Sequence, residues 1–93
     1  MPIITKIANA QALSDLLQVN PGLILIKLGA TWCGPCKKIE PLVISWLNQM
    51  PEQVQIALID IDDNIDLYGF FKKKRVVNGV PTILAYYPEN DHY

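Results

Sequence analysis

Trp32-Cys33-Gly34-Pro35-Cys36-Lys37 contains the only two cysteines of the 93-residue sequence. It lies between an apolar run, residues 22–29, and a run with helical apolar spacing, residues 37–50. The first run reads as a strand and the second as a helix. A Cys-x-x-Cys pair at such a junction is a redox arrangement. A thiolate, not a thiol, attacks a disulfide. In the first turn of a helix, unpaired N–H groups and the positive end of the dipole favour that thiolate. On this reading Cys33 is the more exposed cysteine and attacks, and Cys36, one turn on, resolves. Gly34 leaves room for a substrate backbone, Pro35 stiffens the first turn, and Lys37 and Lys38 add positive charge nearby. Two inert buried cysteines are the bland alternative. Zinc is the other, and a four-ligand site within one chain fails on count, because His92 is the only histidine. No metal is expected.

Working outward, residues 3–7 are β-branched and read as a first strand. Asn9 is a candidate helix cap, followed by Ala12, Leu13, Leu16 and Leu17 at helical spacing. Asn20-Pro21-Gly22 stops that helix. Residues 23–26 are apolar without alternation, which suits a strand covered on both faces. Lys27 interrupts them. In the helix over 37–50, Ile39, Leu42, Val43, Trp46, Leu47 and Met50 form an apolar stripe that places Trp46 in the core. Pro41 lies inside this helix and removes one backbone hydrogen bond. Residues 54–61 read as another buried strand.

Asp63 or Asn64 caps a third helix with Ile65, Leu67, Tyr68, Phe70 and Phe71 apolar, and 72–75 is a basic run at its far end. That run reads as a solvated helix end, with a docking patch for an acidic partner as the alternative. Asn78-Gly79 is a turn signal, and Val80-Pro81-Thr82 leads into a last strand over 83–87. Residues 88–91 read as a turn, and His92-Tyr93 as the start of something further. The order β-α-β-α-β-α-β argues an α/β layered domain with a mostly parallel sheet.

Length and composition support one domain over 1–93 with a small core. About half the residues are apolar and the net charge is −1, so bulk charge calls for neither nucleic acid nor an anionic membrane. No apolar run approaches the ~20 residues of a membrane helix. The N-terminus lacks the pattern of a signal peptide, and two cysteines this close cannot staple a secreted scaffold. The expected compartment is the reducing cytoplasm. Residues 60–66 carry alternate acidic residues like a calcium loop, but Ile65 and Phe71 stand where Gly and Glu are needed. Glu40 is a proton-transfer candidate that reads more simply as a surface residue.

Trp32 to Lys37, Pro41 within the following helix, and Val80-Pro81-Thr82 together resemble the thioredoxin family over nearly the whole chain. The resemblance implies a thioredoxin fold, a three-layer α/β/α arrangement with a central mixed sheet. It implies that Pro81 is cis beside the dithiol. Trp32, Gly79, Val80 and Pro81 would then contact substrate, with the Val80 backbone pairing an extended client segment. The implied activity is protein-disulfide reduction through a reversible Cys33–Cys36 disulfide, with no bound cofactor. Clients would be disulfide-bearing proteins, and an external thioredoxin reductase or similar donor would supply electrons. A disulfide oxidase or isomerase, a non-catalytic binding module, and an iron–sulfur cluster shared between two copies are the alternatives.

Three departures from the family stand out. Lys27 occupies the position of a buried family Asp six residues before Cys33, and Leu58 that of its Lys partner. Lys27 is therefore either a snorkelling surface residue or, with Gly34 and Pro35, a redox-tuning one. The segment between Asp62 and Pro81 is a few residues longer than in short members. Finally, the family's last strand and helix are missing, which would leave 83–87 as an open edge and an apolar face bare. The sequence is then a C-terminally incomplete portion of a longer chain, or a dimer or partner covers the gap.

Overall fold

The computed structural model describes residues 2–87. The elements run α1 (Ala10–Val19), β1 (Ile24–Gly29), α2 (Gly34–Asn48), β2 (Gln55–Asp60), α3 (Ile65–Lys73) and β3 (Thr82–Tyr86). The sheet order is β2-β1-β3. β2 is parallel to β1 and β3 antiparallel to it. The sheet is mixed, as the family resemblance implies, and not the mostly parallel one that element alternation suggests. The residues expected to turn and continue after Tyr87 lie outside the described residues.

Strand alternation sorts the core into two layers. Ile24, Ile26 and Leu28 of β1, with Ala57 and Ile59 of β2, pack with Leu13 of α1 and Leu67 and Phe71 of α3. Leu25 of β1 points to the other face, where it joins Val43 and Leu47 of α2, with Ile39, Ile56 and Leu58 at the margin. The central strand is covered on both sides, which is why its sequence does not alternate. Lys27 and Gly29 have the parity of Leu25 and belong to the α2 face.

The apolar stripe of α2 is narrower than its spacing predicts. Val43 and Leu47 are buried, but Leu42 is 74 % and Trp46 41 % exposed, so Trp46 is not a core residue. The spacing marks a wide apolar sector, and α2 meets the sheet with only part of it. Likewise Ile65 on α3 is exposed. At β3, Leu84 and Tyr86 pack toward α1 and α3, whereas Ile83 and Ala85 on the α2 side are exposed. β3 is thus an edge within the described residues, with a bare apolar side.

The expected first strand shrinks to a single parallel bridge, Ile4 with Ala57. Ile4 N–H donates to the Ile56 carbonyl (3.0 Å), and Leu58 N–H to the Ile4 carbonyl (2.8 Å). Beyond this the backbone turns to Asn64. Ile7 N–H donates to Asn64 Oδ1 (2.8 Å), and Asn64 Nδ2 donates to the carbonyls of Thr5 (3.3 Å) and Asp60 (2.9 Å). Asn64 is the N-cap residue of α3, one of the two expected, but its side chain makes no cap bond and instead clamps two segments together. Asn9 does cap α1, accepting from Ala12 N–H (2.9 Å). After α3 the chain reverses at Arg75, whose φ is 58°, and bends again from Gly79, where Asn78-Gly79 signals a turn. Lys72 Nζ closes this reversal on the Asn78 carbonyl (2.8 Å).

Candidate functional site

The site forms where β1 runs out at Gly29 and α2 begins. Cys33 N–H donates to the Ala30 carbonyl (3.2 Å), which closes the intervening loop into a tight turn. Cys33 is the N-cap of α2, with extended backbone. The helix therefore starts at Gly34, three residues before the run at Lys37 that periodicity suggests. Gly34 and Pro35 have no apolar signal, yet Pro35 fits the first turn because its missing N–H needs no partner there.

Cys33 and Cys36 form a disulfide, with Cα atoms 5.2 Å apart. The Cys36 N–H donates to Cys33 Sγ (3.1 Å). This bond places a backbone donor and the N-terminus of a helix at the sulfur that becomes an anion on reduction. The expected difference in exposure between the two cysteines is absent in this oxidised form: each is 4 % exposed. Linking both sulfurs within one helical turn draws them under the same cover. The chemical asymmetry lies instead in the N-cap position of Cys33.

Gly34 and Pro35 are exposed above the disulfide. Trp32 is 64 % exposed, and its indole Nε1–H donates to Asp62 Oδ2 (2.8 Å). The Asp62 N–H in turn donates to Asp60 Oδ1 (2.9 Å), so the end of β2 holds the Trp32 ring. In the sequence Asp62 belongs only to the rejected calcium-loop pattern, and nothing there points it toward Trp32. The Val80–Pro81 peptide is cis, in agreement with the resemblance. Thr82 pairs with Leu28, so the 79–81 loop opens at the end of the sheet from which the cysteine loop leaves. Thr82 Oγ1 donates to the Gly79 carbonyl (2.6 Å) and fixes that loop.

Beneath the disulfide lies an open cleft of about 520 Å³, lined among others by Lys27, Gly29, Cys36, Glu40, Leu58 and Asp60. Lys27 pairs in register with Leu58 on one side and Ile83 on the other. Lys27 Nζ and Cys36 Sγ each lie 3.7 Å from the point where a Cβ on Gly29 would stand. Lys27 is thus half-buried under the cysteine pair rather than extended to the outer surface. Glu40 is exposed, as expected, but at the rim of this cleft.

Comparison with known proteins agrees with this geometry. The thioredoxin family model matches residues 4–92. The thioredoxin of Bacillus subtilis is 33 % identical over 79 residues, covering 85 % of this chain and 72 % of the relative. A bifunctional thioredoxin reductase/thioredoxin of Mycobacterium leprae is 28 % identical over 81 residues, covering 87 % of this chain and 17 % of that protein. The structure of Fasciola hepatica thioredoxin superposes with a TM-score of 0.67 at 31 % identity, covering 91 % of this chain and 78 % of that one. With its mixed sheet, its cis Val80–Pro81 loop and a Cys33–Cys36 pair suited to thiol–disulfide oxidoreduction, the chain belongs to the thioredoxin family.

Proposed function

We propose that the chain is a protein-disulfide reductase that works in a reducing compartment such as the cytoplasm. The observation that carries this reading is the Cys36 N–H aimed at Cys33 Sγ at the N-terminus of α2. In the reduced protein the Cys33 thiolate attacks one sulfur of a client disulfide. That S–S bond breaks, a Cys33–client bond forms, and the departing client thiolate takes a proton from solvent. The Cys36 thiolate then attacks Cys33 Sγ, forms the internal disulfide, and releases the second client thiolate. Two electrons pass to the client, and the oxidised pair must be restored by an external dithiol or reductase. A relative that fuses a thioredoxin reductase to a thioredoxin supports a donor of that kind. The chemistry needs no bound cofactor, because both electrons come from the two sulfurs. Trp32 and the backbone around Gly79, Val80 and Pro81 form the client-facing rim, where an extended segment can pair with main chain.

Turnover of insulin disulfides with dithiothreitol tests the reading. A rate well above the uncatalysed one is expected, lost in Cys33→Ser. Cys36→Ser should accumulate the mixed disulfide. A rate equal to background would leave a binding module and refute the enzyme. The Lys27 cation beside the pair favours one second reading, an oxidase or isomerase, since stabilising the reduced thiolate raises the potential. Equilibration with glutathione separates the two, a strongly reducing pair supporting the reductase.

A further inference from the structure

A lysine in the central strand of a small sheet is anomalous, because its neighbours in register are Leu58 and Ile83. Among the described residues Lys27 has no hydrogen-bond or ion-pair partner. A half-buried ammonium without a partner is costly unless something repays it. The side chain shares a cradle with Cys36 Sγ over Gly29, where the absence of a Cβ keeps the space between strand and helix open. We infer that Lys27 is a positioning residue whose ammonium is the fixed countercharge of the Cys36 thiolate in the reduced protein. The inference rests on the proposed exchange at Cys33 and Cys36.

The charge sign decides what Lys27 does. After the first exchange, Cys36 must give up its proton before it can attack Cys33 Sγ. A carboxylate in this cradle would have to take that proton as a base and would repel the resulting anion. An ammonium makes the anion favourable and lets the proton leave to solvent. Of the other charged groups lining the cleft, Lys37 on α2 acts in the same sense. Glu40 on α2 and Asp60 at the end of β2 act against it. Lys27 differs from all three in sharing the Gly29 cradle with the sulfur. In the oxidised protein the charge has no thiolate to meet, so the effect appears only on reduction and raises the potential of the pair.

The direct test titrates the Cys36 thiolate by its ultraviolet absorbance in a Cys33→Ser background. Lys27→Met and Lys27→Gln remove the charge at similar length, and Lys27→Arg keeps it. Coulomb attraction at this range in a half-solvated cleft gives an expected upward shift of about one pH unit, tenfold in the thiolate equilibrium, for Met and Gln. Arg should retain most of the native midpoint. With both cysteines present, the equilibrium with glutathione should move toward a more reducing pair by up to about tenfold, ~30 mV. An unchanged midpoint in both neutral variants overturns the inference, as does an Arg variant that shifts as far as Met. Insulin turnover without any shift sinks this inference and leaves the reductase reading standing. A shift without turnover does the reverse.

Discussion

Replacing Asn64 with Ala should destabilise the domain more than removing one polar side chain from a helix terminus normally does. Asn64 is 2 % exposed, and its amide serves three backbone groups on two segments. Truncation leaves the Ile7 N–H without an acceptor, in a residue that is itself buried. The Asp60 carbonyl loses the Asn64 donor but keeps the Asp63 N–H (3.1 Å). Each buried backbone group left unsatisfied costs about 1–3 kcal/mol. The 3.3 Å bond to Thr5 is long and adds less. Allowing for partial relaxation of the N-terminal segment, the expected loss is about 2 kcal/mol, chiefly from the Ile7 N–H, a sizeable part of the ~5–15 kcal/mol that holds a domain together. Loss of an ordinary helix cap would cost about 1 kcal/mol.

Urea unfolding of the oxidised protein reads the difference, and amide hydrogen exchange at Ile7 locates it. Ile7 should lose its protection first, because among the described residues its one bonded acceptor is the deleted oxygen. Asn64→Asp sharpens the test: it keeps an acceptor for Ile7 but loses the donor to Asp60 and buries a charge. It should fall below the wild type without losing Ile7 protection. A loss under about 1 kcal/mol for Asn64→Ala, with Ile7 still protected, would refute the clamp and return Asn64 to the role of a cap.

Two further outcomes follow from packing and from the site rim. Leu47→Ala should cost about 2–4 kcal/mol because Leu47 is buried between α2 and the sheet, whereas Leu42→Ala, on the same stripe but exposed, should change stability by less than about 0.5 kcal/mol. Equal costs in thermal unfolding would show that α2 sits differently on the sheet. Asp62→Ala removes the one hydrogen-bond partner that the Trp32 indole has among the described residues, at an exposed site, so stability should move by less than about 1 kcal/mol. The KM for insulin should rise, because the Trp32 ring then loses its fixed place on the client-facing rim; a large loss of stability with an unchanged KM would contradict that role.

The helices and β1, β2 and β3 were legible because each carries its own punctuation. Asn9 caps α1, Asn20-Pro21-Gly22 ends it, and the unbroken apolar run before the cysteines needs cover on both faces. The cysteine corner was legible for the same reason: Cys-x-x-Cys with Pro35 between is meaningful only at a helix start. What failed was every inference that required knowing how much of a face is used. Periodicity marked Leu42 and Trp46 as apolar positions on α2, but the angle at which α2 meets the sheet decides which of them are buried. The β-branched run at residues 3–7 has strand propensity, yet only Ile4 finds a partner, because Asn64 takes the backbone of Thr5 and Ile7.

By itself, then, the sequence determined the dithiol at the end of a central strand and the start of a helix behind it, since spacing and turn chemistry are local, and its resemblance to the family supplied the proline loop. Only the tertiary structure decided that the cysteines are equally covered when oxidised, that Asp62 holds Trp32, and that Lys27 lies in the Gly29 cradle beside Cys36. The physical reason is range. Caps, turns and apolar periods act within a few residues, whereas a charge beneath a sulfur depends on which face of a strand meets which side of a helix, and folding alone brings those together.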